Sequence, residues 1–281
     1  MITKNEMQLK AVIKSLAEKF GITPQAVLQM YCLERLLERI AASERGGCFV
    51  IKGGFLIASI IGIENRSTMD IDVTARGFDV NHENVASIFR HVCEIEIGDR
   101  LIFSFDRVED IREGDDYPGI RVFLVAQYGK IRTALTVDVT TGDSIVPSEI
   151  EYSYKCVFDD KVIPVWAYPL ENILAEKLET VVSRSIANTR PRDFYDIFTL
   201  YAMKKPDIDF DILKKAVEAT SVRKGSLEIM RGYRQILETV RTDPTQNVFW
   251  RKYAVNNLFA NGISFSQTID AAKEMLDLAF G

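Results

Sequence analysis

The sequence predicts an α+β chain, with a mixed β-sheet and N-terminal helices over residues 1–165 and a helical domain over residues 166–281 that contributes to the functional site. Two observations carry this. Nearly every strand-like run lies before Trp166, and from about Pro169 onward apolar residues recur at helical spacing. No internal repeat, low-complexity run or long flexible linker interrupts either part, and 281 residues with 47% hydrophobic content suffice for a sizeable core.

Taken in order, residues 5–20 form an amphipathic helix that stops at Gly21. Thr23 and Pro24 then open a second helix running to about Ser43, with threonine as N-cap and proline at the first helical position. A short buried element over 48–51 leads to Gly53-Gly54 and an apolar helical stretch to about Ile61. A strand over 70–74 follows, then a helix over 81–97 and strands over 101–108, 119–127 and 130–138. The turn-rich segment 113–119 joins two of these strands, and Gln127-Tyr128-Gly129-Lys130 reads as a hairpin turn. Helices are expected over 170–187, 191–203, 210–220, 226–240, 246–261 and 266–280.

Composition excludes several classes of function. No apolar run approaches the roughly 20 residues that cross a bilayer, and the N-terminus lacks the apolar core and cleavage site of a signal peptide, so a cytoplasmic protein is expected. Cys32, Cys48, Cys93 and Cys156 form no Cys-x-x-Cys pair and read as buried free thiols. The two histidines, His82 and His91, share one amphipathic surface helix and give little basis for histidine acid–base chemistry. Net charge is −5, against general nucleic-acid binding, yet residues 184–252 carry 14 Lys and Arg against 9 Asp and Glu. That local excess suits either a nucleic-acid face or several solvated helix faces.

The chemistry concentrates in Lys52-Gly53-Gly54 and, about fifteen residues further on, Arg66-Ser67-Thr68-Met69-Asp70-Ile71-Asp72. Residues i and i+2 of a strand share a face, so Asp70 and Asp72 project together while Ile71 and Val73 face the core. Two close carboxylates repel unless a cation lies between them, and hard divalent ions are held by carboxylates together with substrate phosphates. Glycines at a helix start let backbone N–H groups approach a phosphate. On a surface strand the same Asp-x-Asp is merely two solvated charges. Asp138, sharing a face with Thr136 and Thr140 on a nearby strand, is the candidate third carboxylate of a two-Mg²⁺ site, with Asp143 a weaker rival that serves the turn.

The helical half adds two clusters. Lys177 lies beside an apolar stripe, with no acidic residue three or four positions away, which favours a phosphate contact over a helical ion pair. In Arg190-Pro191-Arg192-Asp193-Phe194-Tyr195-Asp196, proline and the aspartates suit a helix start. Arg190 and Arg192 there either bind phosphate or pair with Asp193 and Asp196.

Together, Lys52-Gly53-Gly54-Phe55-Leu56, the Arg66–Asp72 segment, Glu176-Lys177-Leu178 and the Arg190–Asp196 segment resemble the AbiEii family, nucleotidyltransferase-like toxins of abortive-infection, type IV toxin–antitoxin systems. The likeness spans roughly residues 5–200. It implies a DNA-polymerase-β-like nucleotidyltransferase core with a helical C-terminal domain. It also implies that Asp70 and Asp72 are the metal-binding pair and that Lys177 and Asp193 belong to later catalytic motifs. The wider superfamily often has Gly-Ser at Gly53-Gly54, with a shorter gap to the aspartates; Ser67 or Thr68 is the candidate substitute hydroxyl.

The expected reaction is transfer of a nucleoside monophosphate from an NTP to an acceptor hydroxyl, with RNA implied as acceptor by the likeness and the tRNA 3′ end a candidate. Asp70, Asp72 and Asp138 would hold Mg²⁺, and Gly53, Gly54, Ser67, Thr68, Arg190 and Arg192 would contact the nucleotide. A cognate antitoxin is expected without a stable direct complex. A small-molecule nucleotidyltransferase and a non-catalytic nucleotide-binding module are the alternatives.

Overall fold

The structure, a computed structural model, describes residues 3–111 and 119–280. The chain divides into two compact units, the first comprising residues up to Gly142 together with Ile150–Ala167, the second Asp143–Glu149 together with Tyr168 onward. The turn-rich stretch 113–119 lies, apart from Gly119, outside the described residues.

The first unit opens with α1 (Glu6–Phe20), capped by the Asn5 side chain, and α2 (Pro24–Ala42), capped by Thr23 through the N–H of Ala26. After β1 (Phe49–Lys52) come α3 (Gly53–Ile61), β2 (Asp70–Ala75), α4 (His82–Glu94), β3 (Ile102–Asp110), β4 (Gly119–Tyr128) and β5 (Ile131–Thr140). Two further strands, β6 (Ile150–Lys155) and β7 (Val162–Ala167), complete it. These two were not expected from sequence.

All seven strands form one sheet in the order β3-β4-β5-β2-β1-β7-β6. It is mixed: β2 runs parallel to β5 and β1 parallel to β7, while the other neighbours are antiparallel. Alternation sets the faces. Ile71 and Val73 of β2, and Leu135, Val137 and Val139 of β5, are buried, leaving Asp70, Asp72, Thr136 and Asp138 on the half-open face. Burial of each such aliphatic side chain contributes about 1.5–3 kcal/mol, enough to fix the strand phase, because a one-residue slip would turn the carboxylates into the core.

Helix α2 also carries buried polar residues that tie the sheet together. Gln29 donates through Nε2 to the carbonyls of Met69 (2.9 Å) and Ala134 (3.1 Å), holding the entry of β2 against β5. Glu34 accepts the Val157 N–H at 2.6 Å, and Arg35 pairs with Asp159 at 3.0 Å. Burial pushes the Glu34 carboxyl up, opposed by that N–H and by Arg35.

The second unit is helical: α5 (Leu170–Arg184), α6 (Pro191–Lys204), α7 (Phe210–Arg223), α8 (Leu227–Arg231), α9 (Tyr233–Thr242), α10 (Pro244–Asn256) and α11 (Phe265–Phe280). The single helix expected over 226–240 is broken at Gly232 into α8 and α9. Of the cysteines only Cys32 is fully buried; Cys48, Cys93 and Cys156 are intermediate, and all four are free thiols. No helix among the described residues is long and apolar enough to cross a membrane.

Candidate functional site

The first unit gathers Asp70, Asp72 and Asp138, whose ligand oxygens all lie within 4.8 Å of one another. Their strands impose this. Asp72 stands directly opposite Asp138 in the parallel β2–β5 pairing, and Asp70 stands opposite Thr136. Like charges about 4 Å apart near a surface repel by about 4 kcal/mol, so the cluster needs positive charge or hydrogen-bond donors around it. An all-oxygen set of this kind suits a hard cation such as Mg²⁺ rather than a thiolate- or imidazole-seeking one. The residues present therefore fit a hard divalent cation.

Donors are supplied from two sides. Thr68, 6% exposed, donates its hydroxyl to Asp70 Oδ1 at 2.9 Å, so that hydroxyl orients a carboxylate. Ser67 is half-buried, and its carbonyl accepts from the Arg66 guanidinium. Gly54, the second residue of α3, aims its N–H at Asp72 Oδ2 from 3.4 Å. The first amides of a helix have no partner within it, and α3 has no side-chain cap, which leaves its positive end facing the acidic cluster.

Both glycines are required sterically. Gly53 has φ +65°, and a Cβ there would lie 2.0 Å from Asp72 Oδ2. A Cβ on Gly54 would meet Thr68 Oγ1 at 2.9 Å and Arg66 Nη2 at 3.1 Å. The glycine pair is thus the space in which Asp72, Thr68 and Arg66 pack against the helix start.

One participant was not anticipated. Arg121 on β4 stands opposite Asp138 in the antiparallel β4–β5 pairing and clasps it at 2.7 Å from Nε to Oδ1 and 2.7 Å from Nη2 to Oδ2. Its guanidinium is held well above the ordinary value, first by those hydrogen bonds and then by the charges of Asp138, Asp70 and Asp72. With Lys52 opposite Asp72 on β1, four neighbouring strands present the row Lys52, Asp72, Asp138, Arg121.

The second unit holds the later motifs. Lys177 on α5 forms ion pairs with Asp193 (2.5 Å) and Asp196 (3.0 Å), both on α6. The lack of an acidic residue three or four positions away therefore does not leave this lysine to phosphate alone: its acidic partners come from the next helix. Both aspartates are buried, and Asp193 Oδ2 has no hydrogen-bond partner among the described residues.

Arg190 and Arg192 are exposed at the start of α6. The loop before them is pinned by Gln246, which donates to the carbonyls of Ile186 and Asn188 at 2.8 Å each. Asp143 accepts from Tyr168 at 2.8 Å and pairs with Arg223 at 3.0 Å, a local structural role within this unit.

Known proteins share this architecture. Two solved structures, a candidate nucleotidyltransferase from H. pylori and JHP933 from Helicobacter pylori, each superpose with a TM-score of 0.53 at 14% sequence identity. The matches cover 92% of this chain and 96% and 92% of those chains, establishing a shared fold. No curated protein matches significantly. A family profile described as the nucleotidyl transferase AbiEii toxin of type IV toxin–antitoxin systems matches residues 35–271, most of the chain. The chain belongs to the AbiEii family of nucleotidyltransferase toxins.

Proposed function

We propose that this nucleotidyltransferase transfers a nucleoside monophosphate from an NTP to a hydroxyl of an RNA acceptor, with the tRNA 3′ end the leading candidate. The observation that carries the reading is the cluster of Asp70, Asp72 and Asp138 on one sheet face beside the glycine start of α3. Asp70, Asp72 and Asp138 would hold Mg²⁺, which supplies charge stabilisation and a template for in-line displacement when bound.

The chain's own residues have separate tasks in this reading. Thr68 fixes the Asp70 carboxylate, and Gly54 together with the α3 amides offers N–H groups to triphosphate oxygens. The acceptor hydroxyl releases its proton to solvent as its oxygen bonds to the α-phosphorus, the bond from that phosphorus to the oxygen bridging to the β-phosphate breaks, and pyrophosphate leaves. Phosphoryl transfer asks a protein mainly for positioning and electrostatic stabilisation. Lys177, Arg190 and Arg192 are assigned to the charge gathering on pyrophosphate, and Asp193 to holding Lys177. The basic excess over residues 184–252 is compatible with an RNA acceptor. Family membership implies a cognate antitoxin, and the reading requires no direct complex with it.

Purified protein incubated with each labelled NTP, Mg²⁺ and total tRNA tests the proposal. Label should enter RNA with one or a few nucleotides, depend on Mg²⁺, and vanish in Asp72→Ala. Absence of incorporation, or incorporation undiminished in that variant, sinks it. Label found only in small molecules would redirect the acceptor assignment.

A further inference from the structure

We propose that Arg121 is the resident counter-ion of the carboxylate cluster, competing with a divalent cation for Asp138. The inference rests on the reading of Asp70, Asp72 and Asp138 as cation ligands, and adds a residue that sets how tightly the ion is held.

Geometry is the first ground. The β4–β5 register places Arg121 opposite Asp138, and both Asp138 oxygens already accept from its guanidinium at 2.7 Å. A planar fork on a carboxylate is the strong form of ion pair, so a metal taking an oxygen of Asp138 meets an occupied ligand.

Charge is the second. Asp138 stands directly opposite Asp72, and its carboxylate lies within 4.8 Å of those of Asp70 and Asp72, so the Arg121 charge faces the whole cluster and not one strand neighbour alone. A divalent ion within the same 4.8 Å cluster would neutralise the charge that Arg121 neutralises, and the two cations would repel.

Asymmetry is the third. The Asp138 side chain is 13% exposed and that of Arg121 is 41% exposed. The carboxylate is fixed in the sheet, and the arginine has solvent beside it to swing into. Arg121 is thus a positioning residue: it holds Asp138 oriented without metal, and yields that carboxylate when the ion arrives.

Mn²⁺ binding by calorimetry on the full chain provides the test, read independently of any transfer activity. Arg121→Gln removes charge and fork, and should tighten Mn²⁺ binding by about tenfold. Arg121→Lys keeps the charge without the fork and should tighten it less; it also carries the test should the glutamine variant not fold. In an Asp138→Asn background, adding Arg121→Gln should bring no gain. Unchanged or weaker binding in both arginine variants overturns the proposal. So does a gain that survives Asp138→Asn, or Mn²⁺ binding by none of the chains. A protein that binds Mn²⁺ in the expected order but transfers no nucleotide defeats the proposed reaction and leaves this competition standing.

Discussion

Gly53 and Asp72 occupy one steric unit: a Cβ on residue 53 would sit 2.0 Å from Asp72 Oδ2. Gly53→Ala therefore combines a left-handed backbone penalty of about 1–2 kcal/mol with displacement of the carboxylate. A lowered melting temperature together with weakened Mn²⁺ binding is expected. Calorimetry of the two proteins side by side checks it, and wild-type values for both quantities would mean that Asp72 does not pack there.

Thr68 affects the cluster without entering it. Thr68→Val keeps the shape but removes the hydroxyl donated to Asp70 at 2.9 Å. Partners of this kind typically change metal affinity by about 10–100-fold when lost, so the Mg²⁺ concentration for half-maximal activity should rise by that order. Thr68→Ser should restore most of it. A Mg²⁺ titration of all three proteins distinguishes a positioning hydroxyl from one that only fills space.

Lys177 is shared by two buried aspartates, at 2.5 and 3.0 Å. Lys177→Met removes the cation that both carboxylates share and should cost about 3–5 kcal/mol. Asp196→Asn keeps the pair with Asp193 and should cost less. Urea unfolding of the two variants gives the order directly; equal losses would show that the remaining Lys177–Asp193 pair contributes nothing, and no loss in Asp196→Asn would show that Asp196 is no real partner.

Alkaline pH should loosen the first unit. Burial pushes the Cys32 thiol from 9.0 up to about 12. Because the folded value is raised, this stabilisation is complete below the unfolded value and is lost as pH rises from 9.0 toward about 12. The loss approaches roughly 1.4 kcal/mol per pH unit within that window. Melting temperatures measured from about pH 8 to about pH 10 should fall, and fall less steeply in Cys32→Ala; parallel slopes in the two proteins would exclude the thiol as the cause.

Much of this was legible in the chain because the signals were local. Thr23-Pro24 announced α2, Gly129 marked the β4–β5 turn, and the alternation of Ile71 and Val73 with Asp70 and Asp72 gave the face of β2. What escaped depended on partners remote in sequence. Arg121 is ordinary until the strand register sets it opposite Asp138, and Lys177 finds its aspartates on another helix. Gln29 looks like any helical glutamine until β2 and β5 bring two carbonyls to it. Strand β7 hid behind Pro164, which cannot donate to a ladder and argues against an interior strand when read alone.

The hairpin has a consequence for how the acidic cluster assembles. Strands β4 and β5 are joined by the two residues Gly129 and Lys130, so Arg121 and Asp138 come together by local closure. Asp70 and Asp72, by contrast, meet β5 only through a long-range parallel pairing. The third negative charge therefore stands beside the other two with a positive partner from its own hairpin. In the folded sheet the β4–β5 hairpin therefore brings its own countercharge to β2, and the anionic centre is built without three bare carboxylates side by side.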